Sequence, residues 1–135
     1  MSVRYLLDVN VLVAWGWSDH MDHDRTVHWI RIVMKKTANR ILTSSIPQLG
    51  FVRVSVQRSL GQVKPAKAGQ TLQGMLNALG KHHEFLSDDQ SSIIWPTWCQ
   101  GASRTTDAHL LTLARAHNAR LATLDKGIPN AFLIG

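Results

Sequence analysis

Acidic residues are missing from the middle of this chain. None lies between Asp24 and Glu84, while residues 25–81 carry ten lysines and arginines. Such a one-sign stretch favours a polyanionic partner, with a solvated basic face as the plainer alternative. Cysteine is nearly absent too. Cys99 stands alone, which excludes an internal disulfide framework, a Cys-rich zinc site and an iron–sulfur cluster, and suits a reducing compartment. No apolar run approaches the roughly 20 residues needed to span a bilayer. Met1–Ser2–Val3–Arg4–Tyr5 runs into a strand-like segment, not a secretory leader. The expectation is a soluble, cytoplasmic protein without membrane association. The motifs Gly-x-x-x-x-Gly-Lys and Gly-x-Ser-x-Gly are also missing, which argues against the NTPase and hydrolase classes they mark.

What is present suffices for a core. Hydrophobic residues make up 44% of the 135 and charged residues 18%, as expected of one folded domain spanning 1–135. Strand patterns are expected at Arg4–Asp8, Arg40–Thr43, Phe85–Leu86, Arg120–Asp125 and Ala131–Ile134. The first leads through a tight turn at Val9–Asn10 into a helix. Helical spacing follows over 22–36, after Ser45–Ile46–Pro47–Gln48, over about 65–79 with Gly80 as its stop, and from Thr106–Asp107 onward. Strands alternating with amphipathic helices predict an α/β fold with a central, mainly parallel sheet. Residues 87–103 carry no regular pattern.

Three aspartates then stand out. Asp8 and Asp125 finish strands, and Asp107 opens a helix. In an open parallel sheet the carboxyl ends of the strands share one edge, where ligands bind, so this topology gathers the three acids. A pair of carboxylates about 5 Å apart repels by roughly 3 kcal/mol at an effective dielectric near 20. Such a cluster calls for raised pKa values or a bound cation, and oxygen donors favour Mg²⁺ or Mn²⁺ over zinc. Taken singly, Asp107 reads equally well as a first-turn helix acid and Asp125 as a turn residue.

Four segments carry a family resemblance: Leu6–Leu7–Asp8–Val9–Asn10–Val11–Leu12, Leu49–Gly50–Phe51–Val52–Arg53–Val54, Thr106–Asp107–Ala108–His109–Leu110 and Leu121–Ala122–Thr123–Leu124–Asp125–Lys126–Gly127. In order and spacing they resemble the successive motifs of PIN domains, most closely the toxin ribonucleases of VapC type. The resemblance implies a three-layer α/β/α fold and a metal-dependent endoribonuclease, the toxin of a type II toxin–antitoxin pair. It also implies a homodimer inhibited by a cognate antitoxin. By position, Asp8 and Asp107 would be the main Mg²⁺ ligands and Asp125 would complete the acidic site. Asn10, Thr106 and Thr123 would stand beside them as polar support. Phosphate contacts from the RNA substrate are expected in the basic segment, at Arg25, Arg31, Lys35, Lys36, Arg53 and Arg58.

One position departs from that pattern. PIN domains usually carry a glutamate where this chain has Gln48, and no neighbour supplies one. Gln48 is carried over as a site residue that adds no negative charge, which bears on a second metal and on full activity. Ser45–x–x–Gln48 also fits a capping box. Two further readings stay open: a PIN-like module that binds RNA or antitoxin and cleaves poorly, and another metal-dependent phosphotransfer enzyme, against which Asp8–Val9–Asn10 lacks a second aspartate. The crowd of His20, Asp22, His23, Asp24 and His28 reads as a solvated helix start more readily than as a transition-metal site, because its histidines lack the i, i+4 spacing. His82–His83 is expected at the surface, Cys99 in the core, and the five tryptophans mainly in packing.

Overall fold

The computed structural model describes residues 1–135. The chain runs β1 (Arg4–Leu7), α1 (Val9–Gly16), α2 (His23–Met34), β2 (Arg40–Ser44), α3 (Ser45–Arg58) and α4 (Pro65–Leu79). It continues through β3 (His83–Leu86), α5 (Thr105–Ala116), β4 (Arg120–Thr123) and β5 (Phe132–Leu133). The five strands form one sheet in the order β3-β2-β1-β4-β5, and every pairing is parallel. Leu6 of the central strand sits between Leu42 and Leu121.

The two-residue alternation of a strand sends neighbouring side chains to opposite faces, and here both faces are covered. Tyr5, Leu7, Ile41 and Ala122 join a core built with α1, α2, α3 and α4. Leu6, Leu42 and Leu121 join a second core with Leu110, Leu113 and Ala114 of α5. The result is the expected three-layer α/β/α arrangement. On the larger face Tyr5 meets Trp29 and Phe132 at ring-centre distances of 5.0 and 4.9 Å. Gly80 closes α4 at φ +54°, a conformation that suits glycine. No helix is long and apolar enough to cross a membrane.

Several local expectations are corrected. Val9–Asn10 is not a separate turn: Asp8 caps α1 directly, its Oδ1 accepting the Val9 amide at 2.8 Å. The N-cap of α3 is Ser44, not Ser45, and it makes no side-chain cap bond. The box with Gln48 is therefore not formed. β4 ends at Thr123, two residues before Asp125. His82 is buried, because the turn after α4 rolls it under the sheet edge, where its Nδ1 lies 3.0 Å from the Asn39 carbonyl. Cys99 is only half-buried within the irregular segment.

Candidate active site

Asp8, Asp107 and Asp125 line one open cavity of about 450 Å³, together with Asn10, His20, Arg53, Arg58 and Thr106. Each aspartate arrives from a different element. Asp8 sits at the carboxyl end of β1, where its amide donates to the Ala122 carbonyl of β4 at 3.0 Å. Asp107 stands in the first turn of α5. Asp125 follows β4 and accepts the Gly127 amide at 2.8 Å.

The scaffold behind them is a hydrogen-bond hub. The Thr123 hydroxyl donates to Asp8 Oδ2 at 2.8 Å, and accepts from the Asn10 amide at 3.2 Å and the Asp125 backbone N–H at 3.0 Å. Asn10 Oδ1 in turn accepts the Leu124 amide at 3.2 Å. Asn10 and Thr123 thus fix both strand ends, while Thr106 stands at the cavity wall. Gly50 shapes the site from behind α1. A Cβ there would meet Val9 Cγ2 at 2.6 Å, so glycine is what lets α3 close onto the start of α1 beside Asp8.

The electrostatics match crowded acids. Burial raises the Asp107 pKa to about 6, with added repulsion from Asp8 and Asp125, partly offset by Arg104. Burial also raises Asp8, against its hydrogen bonds from Thr123 and Val9, and Asp125 adds to the rise. The donors are hard carboxylate oxygens. They do not converge as a closed cage of three ligands. Open carboxylates of this kind can serve a hard divalent cation that keeps several of its waters.

The other candidates separate. Arg53 and Arg58 line the cavity, and Arg58 also lies 5.0 Å from the Trp17 ring centre and 3.1 Å from Asp19. Arg25, Arg31, Lys35 and Lys36 belong to α2 and its C-terminal end. They do not line the cavity, and Arg25 pairs with Asp22. Gln48 does not line it either. Its amide donates to Thr43 Oγ1 at 3.1 Å, and it borders grooves shared with α4. Two residues beside the acids are not assigned to this site by the sequence, in which His20 reads as part of a solvated helix start. His20 lines the cavity, with Nδ1 accepting the Asp22 amide at 3.0 Å, whereas His23 turns to the Ala14 carbonyl. Arg104 reaches Asp107 at 3.7 Å. Its place three residues before Asp107, one helical turn away, was the available signal.

A family model described as PIN domain matches residues 5–131. Ribonuclease VapC39 of Mycobacterium tuberculosis is 35% identical over 136 residues, covering 96% of this chain and 94% of its own length. Ribonuclease VapC38 of the same bacterium is 40% identical over 129 residues, covering 91% and 86%. Among solved structures, VapBC2 from Rickettsia felis bound to a DNA fragment from their promoter matches over 97% of each chain. Its TM-score is 0.56 at 21% identity, a likeness of fold alone. On the family match and on relatives that span nearly its whole length, the chain belongs to the PIN-domain family.

Proposed function

We propose that the chain is a divalent-metal-dependent endoribonuclease and the toxin of a toxin–antitoxin pair, acting in the cytoplasm. The observation that carries the reading is the meeting of Asp8, Asp107 and Asp125 in one cavity whose rim holds Arg53 and Arg58. Anionic ligands beside cationic walls suit a phosphodiester that must be bound and attacked in one place. The ribonucleases VapC38 and VapC39 among the relatives, and the VapBC2 assembly among the fold neighbours, support the same substrate and partner class.

Asp8 and Asp107 would hold Mg²⁺ or Mn²⁺, with Asp125 ligating directly or through water. A bound ion supplies an activated water and neutralises charge developing on the phosphate. Asp8 is the fixed member, because both its oxygens already take hydrogen bonds from Val9 and Thr123. Asp125 spends one oxygen on the Gly127 amide and keeps the other for water or metal. Arg53 and Arg58 bind flanking phosphates and orient the strand across the acids. Exposed Ile93 and Ile94, beside Trp95 and α5, support self-association as a homodimer, which sedimentation tests.

Incubating purified, partner-free protein with RNA in Mg²⁺, Mn²⁺ or EDTA tests the activity. Cleavage is expected with either ion and not in EDTA. Asp8→Asn keeps the helix cap, since Asn caps as well as Asp, but removes the charge and the second acceptor oxygen that takes the Thr123 hydroxyl. It should stay folded by circular dichroism and lose at least a hundredfold in cleavage, on the order of one electrostatic contact in a catalytic site. Unaltered cleavage by that variant would refute the mechanism.

A further inference from the structure

Arg104 lies outside the recognised motifs, yet its side chain reaches Asp107 of the acidic cluster. It closes the short 3₁₀ turn Ala102–Arg104 that leads into α5. Its guanidinium carbon sits 5.2 Å from the Trp98 ring centre, and Nη2 donates to the Gly127 carbonyl. A Cβ on Gly127 would lie 3.2 Å from Arg104 Nη1 and 3.3 Å from Asp125 Oδ1. Glycine therefore makes room for the cation and the acid together. Two anchors, an aromatic face and a carbonyl, keep the charge where it is.

Its link to Asp107 is only half-made. Nε stands 3.7 Å from Asp107 Oδ2, which is ion-pair range but beyond a hydrogen bond. Nε is also buried with no hydrogen-bond partner. The guanidinium is tethered at its far end, so Asp107 is the member free to turn. It can close on Nε or turn toward the other carboxylates. A cation entering among the acids must take Asp107 from Arg104 and tolerate the positive charge that remains nearby.

We propose that Arg104 is a built-in counter-ion of the aspartate cluster that competes with the divalent cation for Asp107 and so sets how tightly the site holds metal. The inference rests on the metal-site reading above. Arg104 acts through Asp107 and is a positioning residue. A structural strut would weaken metal binding when removed; a competitor strengthens it.

The test is calorimetric titration of Mn²⁺ into metal-free full-length protein. Arg104→Gln should bind about tenfold more tightly than wild type, the order of a screened repulsion between single and double charges a few ångströms apart. Arg104→Lys keeps the charge and should stay within about twofold of wild type. Unchanged or weaker binding by Arg104→Gln overturns the proposal, as does equal tightening by Arg104→Lys. If Arg104→Gln fails to fold, Arg104→Met keeps an apolar stem against Trp98 and carries the same expectation. Absence of Mn²⁺ binding in wild type, or binding that survives both Asp8→Asn and Asp107→Asn, would instead sink the metal-site reading itself.

Discussion

The Thr123 hydroxyl donates to Asp8 at 2.8 Å, tying the ends of β4 and β1 across 115 positions of chain. The same oxygen accepts from Asn10 and from the Asp125 amide, and Thr123 is fully buried. One atom therefore fixes two of the three acids. Thr123→Val preserves shape but leaves Asp8 Oδ2, Asn10 Nδ2 and the Asp125 N–H without that partner. An unpaired buried polar group costs about 1–3 kcal/mol. The expected loss is about 2–3 kcal/mol, read as a lower urea midpoint with unchanged slope, together with weaker RNA cleavage. Thr123→Ser should recover most of both.

Asp107 gives a pH signature. Its folded pKa, about 6, lies above the ordinary 3.8 because of burial and then its acidic neighbours. The stability it contributes is fully present below about pH 3.8 and is lost as the pH rises through about 6. Asp8 shifts in the same direction. At about 1.4 kcal/mol per pKa unit, and allowing for partial solvent screening, the cost at neutral pH is on the order of 2 kcal/mol. Metal-free Asp107→Asn should therefore melt higher than wild type at pH 7.5, and the gap should close by pH 4. Thermal unfolding in EDTA across that range measures it. A constant gap would mean that Asp107 is not strained.

The convergence of these acids was legible because it follows from topology. The alternation of Leu6 against Tyr5 and Leu7, and of Leu42 against Ile41, fixed a sheet buried on both faces. A parallel sheet then gathers its strand ends. Arg104 and His20 were not legible as site residues. They come from segments 87–104 and 17–22, outside the long helices and strands whose periodicity announces where a side chain points. Side-chain direction at Gln48 was hidden for a related reason. Its partner Thr43 also lies 2.7 Å from His83 Nε2, a contact across 40 positions. His82 misled because local sequence gives no warning that a turn tucks it against Asn39.

Gly50 offers a packing test. A Cβ at this position would approach Val9 Cγ2 at 2.6 Å and Cγ1 at 2.9 Å. Gly50→Ala gains up to about 1 kcal/mol in helix propensity but overpacks the α1–α3 contact, at about 1–3 kcal/mol. The net expectation is destabilisation by about 1 kcal/mol, and Mn²⁺ affinity should fall because Val9 adjoins Asp8. Adding Val9→Ala opens the space. The double variant should lose less stability than the two single losses combined, by denaturant titration. Strict additivity would show that the contact is not where the strain lies.

Gln48→Glu separates the family pattern from the observed contacts. If this position reached the metal, the added charge would tighten Mn²⁺ binding several-fold. Gln48 instead donates to Thr43 Oγ1 and borders the α4 grooves. The variant should therefore bind Mn²⁺ within about twofold of wild type. Its effect should fall on His83, whose ring shares the Thr43 hydroxyl. Burial lowers the His83 pKa below 6.5, so stability present above that pH is lost as the pH falls, while the unfolded chain takes up protons. A carboxylate on the far side of Thr43 accepts the Thr43 proton, leaves that oxygen to accept from His83, and favours the charged ring. The variant's melting temperature relative to wild type should then rise as the pH falls from 8 to 5. A pH-independent difference, combined with several-fold tighter Mn²⁺ binding, would return Gln48 to the acidic site.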